Sequence, residues 1–350
     1  MKNFWQDLKN KSAKSGKTIC VLAPMADVTD AAFRRIIAKY GKPDVMWTEF
    51  VSADGLIRAN AEGKKKLLRD LAFDESERPI VAQLFSSNPE YMYQAAKMIR
   101  EMGFDGLDIN MGCPDRGIEK QKAGAALMRN PRLAREVLRA ALQGVSDGID
   151  PKGRKSIPVS VKTRVGYNKN ELETWLPQLL AEKPAMITVH GRTRKEMSKV
   201  PARWENVKRA VEIRDELKSE TLIFGNGDVV SLEDAQNKAR ETGADGIMIG
   251  RAIFGNPWFF SKNFTETNDQ FRVTRAEISV KEKLRVMVEH TELFEKLLGD
   301  VKNFSVMKKH FKAYVTGFDG AAELRAKLME TNTANEVKTI VDIFISNNIL

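Results

Sequence analysis

The stretch PVSVKTRVGYNKNELETWLPQLLAEKPAMITVH, residues 158–190, contains the unit on which the fold depends. Two short apolar runs, PVSVKT (158–163) and MITVH (186–190), flank a longer segment of helical pattern. Short, nearly all-apolar runs bounded by turn residues are typical of strands buried on both faces of a parallel sheet. Six more runs of this kind are ICVLA (19–23), VMWTE (45–49), PIVAQL (79–84), GLDIN (106–110), TLIFG (221–225) and GIMIG (246–250).

Amphipathic segments between these runs predict helices. Three helices are predicted to begin at capping residues: Thr29-Asp30 for a helix to Tyr40, Asn88-Pro89 for a helix to Met102, and Asn130-Pro131 for a helix to Val145. A fourth begins at Ser231, which resembles a capping box together with Asp234. Eight strands alternating with helices over about 240 residues match the size of a (β/α)8 TIM barrel. An open doubly wound sheet is the alternative, and the count of eight favours a closed barrel.

The pattern changes after Pro257, where the remaining sequence shows helical periodicity and no strand run. We therefore predict an α/β protein: a TIM barrel followed by a smaller all-α helical bundle. The predicted divisions are an N-terminal extension (1–18), the barrel (19–260), a polar linker (261–274) and the bundle (275–350).

Composition excludes several classes of protein. With 42% hydrophobic and 30% charged residues, the chain is neither disordered nor fibrous. It has no apolar run long enough to span a membrane and no signal-peptide core, so a cytoplasmic location is expected. The two cysteines, which cannot form a disulfide framework, fit a reducing compartment. The wide spacing of the two cysteines and three histidines matches none of the usual zinc-binding patterns. The net charge of +10 favours a polyanionic partner, for which nucleic acid is the natural candidate.

In a barrel of this type the active site lies at the carboxyl ends of the strands. The residues that follow the predicted strands are mostly polar: Pro24, Met25, Ala26, Glu49, Gln83, Asn110, Cys113, Lys162, His190, Arg192, Gly225–Asp228, Gly250 and Arg251. Glycine turns after strands seven and eight, with Arg251 beside the second, favour a phosphate-bearing cofactor. No GxGxxG follows the first strand, which leaves a Rossmann domain without support.

Three side chains of this set are open to more than one interpretation. Cys113, on a loop between Gly112 and Pro114, suits either a nucleophile or a proton donor. Lys162 fits a solvent-facing lysine, a partner of a carboxylate, or a group that contacts an anion or polarised carbonyl. His190 fits a buried core histidine or a ligand-binding one.

Basic clusters occur in both predicted domains. They are Lys64–Lys66, Arg116 with Lys120 and Lys122, Arg192 with Arg194 and Lys195, and Lys308-Lys309 with Lys312. Such runs are usually solvated faces, but an enzyme that binds a folded RNA needs several of them, because phosphate contacts dominate affinity.

Taken together, the motifs resemble the tRNA-dihydrouridine synthases. The matching stretches are APMADVTDAAFRR, TEFVSADGL, VAQLFSSNPE, GLDINMGCPDRGIEKQKAGAALM, VSVKTRVGYN, ITVHGRTRKEM, FGNGDVV and ADGIMIGRAIFGNPW, in order over residues 20–260. The sequence as a whole is most similar to the bacterial B-type branch of this family, although the 146–156 loop is longer than we expect in that branch.

The resemblance implies a flavoprotein with FMN in the barrel and a tRNA-binding helical domain. Pro24, Met25 and Ala26 would line the flavin ring, Gln83 and Lys162 would contact its edge, and His190 would face it. Asn226, Gly227, Asp228, Gly250 and Arg251 would hold the phosphate. Asn110 and Arg192 would contact the substrate.

The implied reaction is NADPH-driven reduction of tRNA uridines to dihydrouridine, an oxidoreduction on a CH–CH group, with NADH as a less preferred reductant. Hydride would pass from flavin N5 to uracil C6 and a proton from Cys113 to C5. We also expect a monomer, with no metal and no membrane association. The rivals are a dihydroorotate-dehydrogenase-like enzyme for a free pyrimidine and a catalytically silent RNA-binding barrel.

Overall fold

A computed structural model describes residues 3–261 and 278–347. Its central feature is a sheet of eight parallel strands in the order β1-β8-β7-β6-β5-β4-β3-β2. The strands are β1 Ile19–Leu22, β2 Met46–Ser52, β3 Ile80–Phe85, β4 Gly106–Met111, β5 Val159–Arg164, β6 Met186–His190, β7 Leu222–Asn226 and β8 Gly246–Ile249. The two edges meet through a parallel bridge between Val21 and Val45, which closes the sheet into a barrel.

Helices cover the outside of the barrel. The helices of this part are α1 Phe4–Ser15, α2 Ala31–Tyr40, α3 Ala53–Arg58, α4 Ala61–Asp70, α5 Pro89–Glu101, α6 Arg116–Lys120, α7 Pro131–Ser146, α8 Leu172–Leu180, α9 Glu205–Glu216 and α10 Leu232–Thr242. The apolar faces of most of these helices form one continuous core with the outward side chains of the strands, as in other (β/α)8 barrels.

The first helix closes the amino-terminal end of the barrel. Trp5 of α1 is buried, with its ring 5.8 Å from that of Trp47 and 5.4 Å from that of Phe224. These rings belong to one apolar cluster that fills the lower barrel interior. The predicted N-terminal extension therefore supplies part of the barrel core.

The C-terminal part is a bundle that packs on the barrel. It consists of α11 Val280–Leu298, α12 Val306–Tyr314, α13 Ala321–Met329 and α14 Ala334–Asn347. The bundle core includes Ala32 and Ile36 of α2, so the two domains share buried apolar surface. Gly255 abuts the bundle at φ +64°, where an added Cβ would lie 2.2 Å from the carbonyl oxygen of Ala313.

The predicted fold class, a TIM barrel followed by a helical bundle, is confirmed. The three helices with caps predicted at Asp30, Asn88 and Asn130 begin where expected. The predicted capping box at Ser231 differs in one hydrogen bond. Ser231 Oγ accepts from the backbone N–H of Asp234, as expected, but the Asp234 carboxylate accepts from the backbone N–H of Val230 and not from that of Ser231. Except for residue 261, the predicted linker lies outside the described residues.

Within the described ranges, no helix combines the length and apolar character that a bilayer crossing requires.

Candidate active site

The upper half of the barrel interior is polar. Side chains alternate between the interior and the helix-facing side along each strand. The inward positions near the carboxyl ends belong to Gln83, Asp108, Asn110, Lys162, Arg164, His190 and Asn226. Lateral pairs in the sheet bring them together, since Asn110 is level with Lys162, and His190 is level with both Arg164 and Asn226.

Cys113 lies on the loop after β4, and hydrogen bonds fix that loop from two sides. Asn110 Oδ1 accepts from the backbone N–H groups of Gly112 at 3.1 Å and Cys113 at 2.9 Å. The carbonyl of Cys113 accepts from Ala125 N–H at 3.0 Å. Gly124 packs against it with φ +60°, where a Cβ would lie 2.9 Å from the Cys113 carbonyl oxygen. The thiol is thus presented by an ordered loop.

The surroundings of Cys113 favour the neutral thiol. Burial raises the pKa of this thiol above its usual value, and the charge of Asp115 acts in the same direction. The Asp115 N–H and the charges of Lys162 and Arg164 oppose the shift without reversing it. Because an ordinary thiol pKa already exceeds neutral pH, Cys113 keeps its proton there. Such a group can donate a proton, whereas a nucleophile would need the thiolate.

Lys162 and Arg164 place two cations beside the Cys113 loop. Burial lowers the pKa of Lys162 to about 8, and the charge of Arg164 adds to the effect. Arg164 Nε donates to the carbonyl of Gly112 at 2.8 Å, while Nη1 donates to Thr193 and Met197 carbonyls. Lys162 forms no ion pair with a carboxylate in residues 3–261 or 278–347, so its ammonium can take an anionic or carbonyl oxygen of a ligand.

A second group of residues gathers at the ends of β6, β7 and β8. Arg192 Nη2 and Arg251 Nη2 both donate to the carboxylate of Asp228, which also accepts from Ala202 N–H at 2.8 Å. Arg192 leads the hydrogen bonds and charges that hold the pKa of Asp228 below its usual value. Arg192 is almost wholly buried, whereas the side chain of Arg251 is 64% exposed.

His190 lies between the two groups and is neutral. Burial lowers its pKa well below the usual value, and the charges of Lys162, Arg164, Arg192 and Arg251 act in the same direction. Its Nδ1 is buried without a hydrogen-bond partner in the described structure, and Nε2 lies 3.4 Å from Nη1 of Arg192. A buried ring nitrogen with no protein partner is the kind of group that a bound ligand satisfies.

Glycines leave room beside these polar groups. Gly227 has φ +125°, and a Cβ there would lie 2.7 Å from the Cβ of Ala202 and 3.4 Å from His190 Nε2. A Cβ on Gly250 would lie 3.3 Å from Sδ of Met25. The loop after β1 therefore adjoins the turn after β8, and backbone there can approach a ligand closely.

The structure brings the predicted site residues to one end of the barrel in two adjoining sets. Cys113, Asn110, Gln83 and Lys162 form the first set, and the second contains His190, Arg192, Asn226, Gly227, Asp228, Gly250, Arg251 and, through Met25, the 24–26 loop. Arg192 belongs to the second set through its contacts with Asp228 and His190. Its predicted contact with substrate, like the other residue roles, stays a prediction.

Asp108, Ser160 and Arg164 were not predicted as site residues, although all three line the same interior. Gln83 Nε2 and Ser160 Oγ each donate to the Asp108 carboxylate at 2.5 Å. Burial raises the pKa of Asp108 to about 6, against these two hydrogen bonds and the charge of Lys162. The sequence did contain a signal for these three residues. Side chains alternate along a strand, so Asp108 faces the same side as Asn110, and Ser160 and Arg164 face the same side as Lys162.

The rim beside the Cys113 loop is basic. Arg116, Lys120 and Lys122 follow Cys113 on and after α6, and all three are exposed. Arg194, by contrast, pairs with Glu119, and Lys309 of the bundle lies 3.9 Å from Asp27. Cations of both domains therefore flank the barrel mouth. Within the described ranges, no three His, Cys, Asp or Glu side chains are grouped to hold a metal ion.

Comparisons with known proteins show the family to which the chain is similar. A family model described as "Dihydrouridine synthase (Dus)" matches residues 21–350. A probable tRNA-dihydrouridine synthase of Staphylococcus aureus (strain COL) is 36% identical over 344 residues, which cover 98% of this chain and 95% of the relative. A probable tRNA-dihydrouridine synthase 2 of Bacillus subtilis (strain 168) is 37% identical over 344 residues, with 98% and 96% covered.

Solved structures share the fold. Histamine dehydrogenase from Rhizobium sp. 4-9 matches with a TM-score of 0.52 and 14% identity, covering 79% of this chain and 49% of its own. A 2-naphthoyl-CoA reductase complex matches with a TM-score of 0.52 and 11% identity, covering 70% of this chain and 49% of its own. This chain therefore spans about half the length of each, and the likeness is one of fold.

Proposed function

The chain belongs to the dihydrouridine synthase family, and from this premise we propose that it reduces the C5=C6 bond of uridines in tRNA to 5,6-dihydrouridine. The observation that carries the proposal is the position of Cys113 at the mouth of the barrel, on a loop that Asn110 holds beside Lys162, in surroundings that raise the pKa of its thiol. Saturating a carbon–carbon double bond requires a proton donor, and this thiol supplies one.

The residues at the ends of β6, β7 and β8 fit an FMN cofactor. Gly227 and Gly250 leave the space in which a phosphate and a ribityl chain could lie against backbone. Arg251 would neutralise the phosphate, with Asp228 orienting its guanidinium group. The unpartnered Nδ1 of His190 and the amine of Lys162 would face the flavin ring. FMN, when bound and reduced by NADPH, would supply the hydride for uracil C6.

The chain's own residues have distinct roles in this proposal. Cys113 donates the proton to C5, since its raised pKa keeps that proton available at neutral pH. Asn110 has one N–H of its amide uncommitted after its bond to Gln83, and that N–H can face the uracil edge. Lys162 stabilises negative charge that develops near it. The closed barrel floor excludes water from below.

The basic rim and the helical bundle are proposed to bind the tRNA. Arg116, Lys120 and Lys122 lie directly after the Cys113 loop, so phosphates near the target nucleotide would contact them. The uridine must leave its stack to reach a thiol inside the barrel mouth, which makes base flipping a part of binding.

The test is to purify the protein, identify its bound flavin, and incubate it with NADPH and unmodified tRNA. Mass spectrometry of the digested tRNA should then detect dihydrouridine. A flavoprotein that oxidises NADPH with free pyrimidines and leaves tRNA unchanged would contradict the proposal, and so would a protein that binds no flavin. NADH in place of NADPH measures the reductant preference.

A further inference from the structure

A directed chain of hydrogen bonds runs from a buried carboxylate to the Cys113 loop. Gln83 Nε2 donates to Asp108 Oδ2 at 2.5 Å. Asn110 Nδ2 donates to Gln83 Oε1 at 3.1 Å. The other end of the Asn110 amide accepts the N–H groups of the loop, including that of Cys113 at 2.9 Å. Three side chains on neighbouring strands thus connect the barrel interior with the thiol.

The direction of this chain follows from the chemistry of its first member. An ionised carboxylate only accepts hydrogen bonds, so the NH2 end of Gln83 must face Asp108. The carbonyl end of Gln83 then faces Asn110 and requires that residue's NH2 group. The carbonyl oxygen of Asn110 is left for the loop, where backbone N–H groups need an acceptor. The acceptor-only carboxylate at one end and the donor-only backbone N–H groups at the other therefore fix the same orientation of both amides.

We propose that Asp108 is a positioning residue that orients Gln83 and Asn110 and thereby holds the Cys113 loop in place for proton transfer. This role rests on the proposed function of Cys113 and extends it to a residue that does not contact the substrate. An asparagine at this position could donate as well as accept, so only the backbone N–H groups of the loop would then hold the two amides in this orientation. A turned Asn110 would present its NH2 group to two backbone N–H groups, and the loop would lose its acceptor.

The placement of Asp108 is costly for a residue with a merely structural role. It is fully buried, and no ion pair with it occurs in the described ranges; its donors are the neutral side chains of Gln83 and Ser160. Burying a carboxylate against neutral donors is less favourable than burying an amide or hydroxyl at the same place. A carboxylate here is thus explained by the property that an amide lacks, which is acceptance without donation.

The test compares Asp108→Asn with Ser160→Ala in the flavin-loaded protein. Asp108→Asn should lower kcat for dihydrouridine formation by about 10–100-fold, because small displacements of a catalytic group have effects of this size. The KM for tRNA and the rate of flavin reduction by NADPH should stay close to those of the parent. Ser160→Ala removes the other donor to the same carboxylate without changing the direction of the chain, and should retain kcat within about threefold.

A second readout does not depend on the reaction. Alkylation of Cys113 by iodoacetamide, followed by peptide mass spectrometry, reports how firmly the loop is held. Asp108→Asn should increase that rate about two- to tenfold, the change expected for loss of one hydrogen bond. Gln83→Met, which breaks the chain at its middle, should do the same if Asp108→Asn does not fold.

Unchanged kcat and alkylation in Asp108→Asn would overturn the proposal, as would equal losses in Ser160→Ala. If the parent made no dihydrouridine, the proposed function would fail, while the alkylation rates would still decide whether Asp108 orders the loop.

Discussion

Lys302 of the bundle lies with its Nζ 2.5 Å from Oε2 of Glu49 on barrel strand β2. The same ammonium is 3.0 Å from Oδ1 of Asp70, and Oε1 of Glu49 accepts from the backbone N–H of Asp27 at 2.5 Å. One carboxylate therefore connects the helical domain with the loop after β1 that borders the active site. Glu49 is buried and Lys302 is half-buried, with side-chain exposures of 6% and 13%.

Replacing Lys302 by methionine should destabilise the protein strongly. The substitution leaves the buried carboxylate of Glu49, and the half-buried one of Asp70, without their cation, and removing one partner of a buried pair typically costs about 3–5 kcal/mol. Urea denaturation followed by tryptophan fluorescence measures the loss. Lys65→Met is the matched control, because Lys65 pairs with Asp300 at 3.4 Å on the exposed surface. The urea unfolding curve of Lys65→Met should therefore coincide with that of the parent. Equal curves for the two variants would contradict a structural role for the buried pair.

Replacing Cys113 by alanine should abolish most product formation and leave the cofactor in place. General acid catalysis contributes typically ~10²–10⁴-fold, so dihydrouridine formation should fall by that factor while bound flavin and NADPH oxidation persist. Cys20→Ala is the control, since burial raises the pKa of Cys20 to about 12 and this thiol lies on β1. A Cys113→Ala protein that works at the parent rate would remove the thiol from the mechanism.

The barrel could be predicted from the sequence because each strand is a compact apolar run. Predicted and observed strands agree to within a residue or two at most ends, and β2 is the clearest exception, because it continues past Glu49 to Ser52. There the polar pair Thr48-Glu49 interrupts the apolar run, but pairing with β3 resumes at Phe50 and continues to Ser52, so composition does not mark the end of the strand. The role of α1 was not predicted, because its packing rests on Trp5 meeting rings that are distant in sequence.

The site was predicted only at the carboxyl ends of the apolar runs and in the loops that follow them. Asp108 lies in the middle of the run GLDIN. A single charged residue there looks like a break in the apolar pattern of the strand and does not indicate a side chain that faces the site. The Lys302–Glu49 pair joins residues 253 positions apart, and no local pattern in the sequence reports such a contact. The contact of the buried Arg192 side chain with Asp228, 36 positions away, likewise has no local signal in the sequence.

Removing the basic rim should weaken tRNA binding more than catalysis. The double variant Lys120→Ala/Lys122→Ala should raise the KM for tRNA and change kcat little, because phosphate contacts supply affinity. The slope of log KM against log salt should fall by about 1–2, since each lost contact changes it by about 0.7–0.9. Lys183→Ala/Lys218→Ala, an equal charge change ahead of β6 and β7 at the other end of the barrel, should behave as the parent. Identical salt slopes for the two double variants would exclude the rim as the binding surface.

Two buried histidines should make the bundle sensitive to acid. His290 and His310 are fully buried with ring centroids 4.7 Å apart, and their four ring nitrogens have no hydrogen-bond partner in the described structure. Phe33, Phe254 and Tyr314 pack around them. Burial lowers the pKa of His290 to about 3 and that of His310 well below its usual value, to which the charges of His290 and Lys309 contribute.

The sign of the effect follows from these lowered pKa values. Below about pH 6.5 the unfolded chain takes up protons that the folded histidines cannot, so stability falls as the pH drops from there towards 3. His290→Phe removes one such site and should gain about 2 kcal/mol relative to the parent between pH 7 and pH 5, measured by urea denaturation at each pH. Tyr314→Phe alters the same cluster without a group that titrates in this range, so its difference from the parent should not vary with pH. A His290→Phe difference that is equally constant would mean that this histidine takes up protons equally in the folded and unfolded protein, so its pKa would not be lowered by folding.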